Sequence, residues 1–144
     1  MGKVMDTSLN SVSEISFRIL LGLSVYGGAM TESRIASLDF ISTYAHKYGI
    51  TEINLNGDGE YILAEYSYRK NVVHESIIHL VRCGLLNPKI EQNIFLYSVT
   101  GKGFYASSQF LGKYADRFRT TYEKVYMYFQ DKSDREIVSF IMNT

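Results

Sequence analysis

The sequence predicts a mainly α-helical protein with a small β-wing: a winged helix-turn-helix flanked by N-terminal helices and a long C-terminal helix. Three observations in residues 61–106 carry that prediction. Apolar residues fill 61–64 and recur at helical steps from 72 to 81, with the polar stretch S-Y-R-K-N between them. Gly84 suits the left-handed conformation that ends a helix, and Leu85-Leu86 re-enters the core directly after it. Two β-favouring runs, 86–90 and 94–99, then flank a polar tip at 91–93.

Taken in order, residues 1–12 are small and polar and are expected to fray. From Ser13 to about Tyr26 the stripe Ile15, Ile19, Leu20, Leu23 and Tyr26 predicts a helix, stopped by Gly27-Gly28. Thr31 caps a second helix to about Tyr48, with Ile35, Leu38, Ile41, Ala45 and Tyr48 inward and Gly49 as the stop. Residues 50–60 read as a loop that admits a short strand at 53–55. In 61–100 a short helix leads through a polar turn at 67–71 into a second helix. That helix carries Val73, Ile77, Leu80 and Val81 on one face, and the wing follows it. Thr100 caps the next segment. With no proline between them, Gly101 and Gln130 bound one long expected helix. Phe104, Leu111, Tyr114, Phe118, Val125 and Tyr128 fall on steps of three and four, completed by Ser107 and Thr121, which suits packing against another long helix, within the chain or from a second subunit. Ser133 and Glu136 form a capping box before a terminal helix bearing Ile137, Val138, Phe140 and Ile141.

A chain of 144 residues holds one core, so residues 1–144 are read as a single domain. Lys plus Arg and Asp plus Glu number 15 each, so the formal net charge is zero. A dedicated DNA-binding domain shows a basic excess, which is missing here. One cysteine, Cys83, forbids an internal disulfide and fits a reducing cytosol. No apolar run approaches the roughly 20 residues of a membrane span, and the N-terminus lacks a signal peptide. The expectation is a soluble, cytoplasmic protein without a membrane anchor. Twelve Tyr and eight Phe, with no Trp, give an aromatic content of the kind enriched at protein interfaces.

Candidates for chemistry are few. Asn54, Asn56, Asp58, Gly59 and Glu65 follow the oxygen-ligand spacing of a calcium loop. Asn54 supplies an amide where a carboxylate belongs, and Gly49 ends the helix that should enter the loop, so calcium is not expected. His46, His74 and His79 form no zinc-protease motif. His79 and Cys83, four apart, give two ligands where a structural zinc site needs four. Neither a nucleophile elbow nor a phosphate-cradling loop is present. The sequence therefore predicts a non-enzyme with no cofactor, metal or small-molecule substrate. Arg69, Lys70, His74, His79, Arg82 and Lys89 could approach nucleic acid, yet Glu75 and Glu91 would repel phosphate. Weak contact through His74, Arg82 and Lys89 is the expectation. The candidate partner-binding side chains are Tyr114, Phe118, Tyr122 and Tyr128 of the long helix, with the basic pair Arg69-Lys70.

The segments L-D-F-I-S-T-Y-A-H-K-Y-G (38–49), E-Y-S-Y-R-K-N (65–71) and L-V-R-C-G-L-L (80–86), with the wing and the aromatic helix after them, resemble a known family. It is the middle component of three-component ABC-ATPase systems of the Lamassu defence type. The Leu-Asp-aromatic segment at 38–40 and the Arg69-Lys70 pair are its most telling residues. The resemblance implies a small, non-catalytic subunit that bridges an SMC-like ABC ATPase and a nuclease effector in an anti-phage or anti-plasmid complex. It implies DNA sensing mainly through that complex. The alternative is a dimeric winged-helix transcription regulator whose helix 71–82 reads an operator.

Overall fold

Helix α1, Val12–Tyr26, starts where the Ser11 hydroxyl accepts the Glu14 amide at 3.1 Å, and ends where Gly27 adopts φ 80°. The computed structural model describes residues 11–45 and 62–143. The second helix stops at Thr43, short of the expected Tyr48; His46, Tyr48, Gly49, the 50–60 loop with its strand, and residues 54–59 of the calcium-like motif lie outside the described residues. So do residues 1–10. Among those described there are six helices and one two-stranded antiparallel sheet.

After α1 the chain extends through Met30, whose backbone pairs with Tyr97 in both directions at 3.0 and 2.8 Å. Helix α2, Glu32–Thr43, follows, its N-terminus capped by Thr31 as expected. Every residue from Ile35 to Ala45 is buried, because α1, α3, α5, α6 and strand β2 all pack on this helix. The expected inner face was one stripe; the observed helix has no dry side and wet side. Most of its buried polar residues find partners within the protein, the Ser42 hydroxyl excepted. Ser37 meets the Tyr66 hydroxyl at 3.0 Å, and the Thr43 hydroxyl donates to the Phe40 carbonyl at 2.9 Å.

Helix α3 runs unbroken over Ile62–Arg82. The turn expected at 67–71 does not form. No glycine or proline interrupts that stretch, and the polar residues there bond along the helix: Arg69 reaches back one turn to Glu65 at 2.7 Å. Tyr66, Arg69, Val73, Ser76, Ile77 and Leu80 supply the buried side at helical steps. The helix ends as predicted. Gly84 has φ 76°, the Leu85 amide bonds back to the Leu80 carbonyl and the Gly84 amide to that of Val81.

Strands β1, Leu86–Glu91, and β2, Ile94–Val99, pair antiparallel. Gln92 at φ 51° and Asn93 at φ 66° make the two-residue turn that matches strand twist. Leu86 and Val99 root the hairpin in the core, while Ile90 and Phe95, paired on the same face, reach solvent at its tip.

The long C-terminal helix is two helices: α4, Gly101–Ser108, and α5, Lys113–Tyr128. Gly112, at φ 121°, takes a conformation closed to other residues. Phe110 turns inward onto Phe17, with ring centroids 4.5 Å apart. Arg119 then donates to the carbonyls of Ser107 and Phe110 at 2.8 and 2.9 Å, satisfying the frayed end of α4. Helix α6, Asp134–Met142, carries the predicted capping box, and Ile137 and Ile141 face the core. Its first residue is held at the head of α2, where Asp134 accepts from the Thr31 hydroxyl at 2.5 Å and from Arg34 Nε at 2.7 Å.

Candidate partner-binding surface

Four charged side chains meet between α1, α2 and α3. Arg18 donates to both Asp39 oxygens, Nε to Oδ1 at 2.6 Å and Nη2 to Oδ2 at 3.1 Å. Arg69 lies 3.5 Å from Asp39 Oδ2, bonds Glu65 through Nε and Nη2, and donates to Thr43 Oγ1 at 2.7 Å. Its guanidinium also covers the rings of Phe40 and Tyr44. Burial works against the Arg18 charge, but Asp39 overrides it and holds the pKa above the ordinary value. Burial, then the 2.6 Å hydrogen bond to Glu65, pushes Tyr44 up to about 12. Each carboxylate here is engaged by a cation or hydroxyl, and Arg18, Asp39 and Arg69 are shut off from water. The cluster fastens three helices and offers nothing to a ligand.

This overturns part of the expected site. Arg69 is a core residue, as are Phe118 and Tyr122, both fully enclosed. Part of the aromatic content serves the interior. Tyr114, Phe118, Tyr122 and Tyr126 form a ladder of rings along α5, each about one turn from the next, and Phe17 and Tyr26 of α1 close its two ends. Gly22 of α1 gives the Tyr122 ring its room: a β-carbon there would lie 2.6 Å from it. Of the predicted partner-binding set, Lys70 and Tyr128 are exposed and Tyr114 is half-buried. Lys70 sits over the Tyr66 ring at 5.3 Å.

His74, Arg82 and Lys89 all reach solvent, but two of them already have a carboxylate beside them. His74 lies 3.0 Å from the Glu32 carboxylate, and Lys89 is 3.1 Å from Glu91. Arg82 is exposed at the end of α3. Lys70, Asn71 and His74 line an open groove of about 700 Å³ together with Glu32, Tyr66 and Val138. His79 and Cys83 come together at 3.8 Å with no further metal ligand beside them among the described residues. Glu65, the last residue of the calcium-like spacing, is committed to Arg69 and Tyr44. Among the described residues no helix is long and apolar enough to cross a membrane.

Part of the stripe that sequence spacing set against another helix remains on the outside. Phe104, Leu111 and Tyr128 are exposed, as are Tyr105 and Met127. Tyr105 was missed entirely, and no signal in its own neighbourhood marks it. The pairing of Asp39 was missed as well; the signal for it is an acid set between Leu38 and Phe40, two apolar neighbours.

That acid and the Arg69 it faces belong to the two segments that most suggested a relationship. The comparison with known families decides it: residues 8–144 match the family model of the ABC-three component (ABC-3C) system Middle Component 2. The chain belongs to that family. As a middle component it is an accessory subunit of a multi-component ABC system, and its partners are the other components of that system. No curated protein and no solved structure matches it.

Proposed function

We propose that this middle component is a non-catalytic bridging and regulatory subunit, linking an SMC-like ABC ATPase to a nuclease effector in a Lamassu-type anti-phage or anti-plasmid complex. The observation that carries the reading is the family match over residues 8–144. In this reading ATP hydrolysis and DNA cleavage belong to the partners, and the chain works in the cytoplasm. It presents surface to both of them and senses DNA through the assembly.

A winged-helix description belongs to the same proposal, in a revised form. The order α1, extended Met30, α2, α3, β1 and β2, with Met30 added to the edge of the hairpin, supports it. The helix pair is then α2 and α3, and α3 carries Asn71, His74, Glu75, Ile78, His79 and Arg82 outward. Glu32, Glu75 and Glu91 interleave with the exposed bases on that side, which favours a protein-facing role over operator reading.

The test is reconstitution. The full chain, mixed with the cognate ATPase and effector, should run as one complex in size exclusion. Alone it should bind short duplex DNA with a Kd no tighter than about 10⁻⁶ M at physiological salt and without sequence preference. Nanomolar binding to one operator by the isolated chain would favour the dimeric regulator instead.

A further inference from the structure

The hairpin has an open edge, and hydrogen-bond parity shows which residue holds it. Along a strand of an antiparallel pair, backbone groups point alternately towards the partner strand and away from it. Tyr97 exchanges two backbone bonds with Met30, at 3.0 and 2.8 Å, so its N–H and C=O point away from β1. Phe95, two residues earlier on β2, is oriented the same way, and its N–H and C=O have no partner among the described residues. The segment that carries Met30 does not supply one, because it leaves the sheet at Thr31 and begins α2 at Glu32. On β1 the outward residues are Leu86, Pro88 and Ile90, and Pro88 has no N–H to give. Proline thus blunts the β1 edge, while the β2 edge stays open.

Apolar side chains flank that opening on both faces of the hairpin. Ile90 and Phe95 are cross-strand partners on one face, 60% and 53% exposed, and the Phe95 ring stacks on Tyr97 with centroids 6.4 Å apart. Ile94 and Leu96 lie on the other face, where Ile94 is 52% exposed. An open hollow of about 490 Å³ adjoins this second face. It is lined by Thr31, where the chain leaves the sheet, and by Glu91, Gln92, Ile94 and Leu96. Exposed edge strands are usually guarded by charge, yet β2, I-F-L-Y-S-V, carries none. The charges of the hairpin, Lys89 and Glu91, are on β1 and pair with each other at 3.1 Å.

We infer that the β2 edge at Phe95 is a docking site for an extended segment of another component of the system, which adds to the sheet beyond Met30. The inference rests on the bridging reading and names a surface through which the bridge is made. An N–H and a C=O side by side on a strand edge are met together by one extended residue, as Met30 meets those of Tyr97. Apolar side chains alternating along the incoming segment cover Ile90 and Phe95 on one face and Ile94 on the other. A second copy of this chain is disfavoured. Antiparallel pairing of two β2 edges about Phe95 would set Asn93 of each copy opposite Tyr97 of the other, a place that Met30 already fills. Nucleic acid is disfavoured because β2 offers phosphate no cation.

Amide hydrogen exchange, followed by NMR on the full chain alone and with the purified ATPase or effector, reads the edge directly. The Phe95 amide should exchange freely in the isolated chain and at least about 10-fold more slowly with one component bound. The Tyr97 amide, bonded to Met30, should be protected in both states. A pair of variants separates backbone from side chain. Phe95→Pro removes the outward N–H and leaves the β1–β2 ladder untouched, whereas Phe95→Ala keeps that N–H. The proline variant should bind the same component about 10-fold more weakly than the alanine variant, since a carbonyl of the incoming segment is left unpaired. The exchange measurement on wild type decides alone where the proline variant fails to fold. Unchanged Phe95 exchange in a complex that does form, or equal affinity of the two variants, would overturn the docking site and leave the bridging reading intact. So would protection of Phe95 in the chain without a component, or with a duplex DNA probe in its place. Failure of the wild-type chain to bind either component would overturn the bridging reading and the docking site together.

Discussion

Arg18 and Asp39 join α1 to α2 through a two-pronged ion pair, 2.6 and 3.1 Å long, with both side chains withdrawn from water. Arg69 approaches the same carboxylate at 3.5 Å from α3. One acid thus answers two cations, and Glu65 supplies the second negative charge to Arg69. Removing one member of such a cluster strands the others in a medium that solvates charge poorly.

Asp39→Asn should therefore lower the unfolding free energy by about 3–5 kcal/mol, the cost typical of breaking one partner out of a buried pair. Urea denaturation measures it. A loss below about 1 kcal/mol would mean that water reaches Arg18 in solution.

Alkaline pH should weaken the fold through tyrosine. Tyr44 is raised to about 12, by burial first and then by its bond to Glu65. Burial is also the main cause of the upward shifts at Tyr66, Tyr97, Tyr114 and Tyr122. An unfolded tyrosine titrates near pH 10, so above that the unfolded chain sheds protons that the native chain keeps. The contribution is complete below pH ~10 and disappears as pH climbs through the native value near 12. Tyrosinate absorbance should lag in the native protein and appear together with loss of helical circular dichroism. Smooth titration of all twelve tyrosines near pH 10 with the fold intact would contradict it.

The ring ladder separates core from surface. Phe118→Ala should cost about 3–5 kcal/mol, because the cavity opens between α1, α2 and α5. Tyr128→Ala, at a side chain 59% exposed, should stay within about 0.5 kcal/mol. Thermal or urea unfolding of the two variants side by side gives the comparison, and equal losses would refute the assignment.

Gly22→Ala probes the contact between α1 and the ladder. The new methyl would stand 2.6 Å from the Tyr122 ring, and overpacking of this kind costs about 1–3 kcal/mol. In an ordinary helix interior the same change would stabilise by about 1 kcal/mol. The sign of the measured difference is thus the readout.

Much of this fold can be read from local chemistry. Ser11, Thr31, Thr100 and Ser133 accept amides at helix starts, and Gly27 and Gly84 end helices in the left-handed region. Such caps depend on a few neighbouring residues, so the sequence exposes those at Thr31, Thr100 and Ser133; spacing predicts the first helix to open at Ser13, but its cap is Ser11, two residues earlier. The errors came where distant contacts decide. The stretch 67–71 looks like a turn because it is polar, yet its arginine is buried against Asp39, thirty residues away in sequence. The C-terminal segment looks like one helix because nothing in it is a proline. Gly112 and the pull of Phe17 on Phe110 break it. For the candidate site the same limit applies: spacing identified which aromatics share a face, and only the packing of α1 on α5 told Phe118 and Tyr122 from Phe104 and Leu111.

The enclosure of α2 has a practical consequence for anyone mapping this subunit's contacts. Its neighbours lean on a shared pillar, from Arg18 near the start of the chain to Asp134 near its end. Deletion fragments will come apart before they can report which part a partner touches, and single replacements on the outer skin are the instrument that leaves the pillar standing.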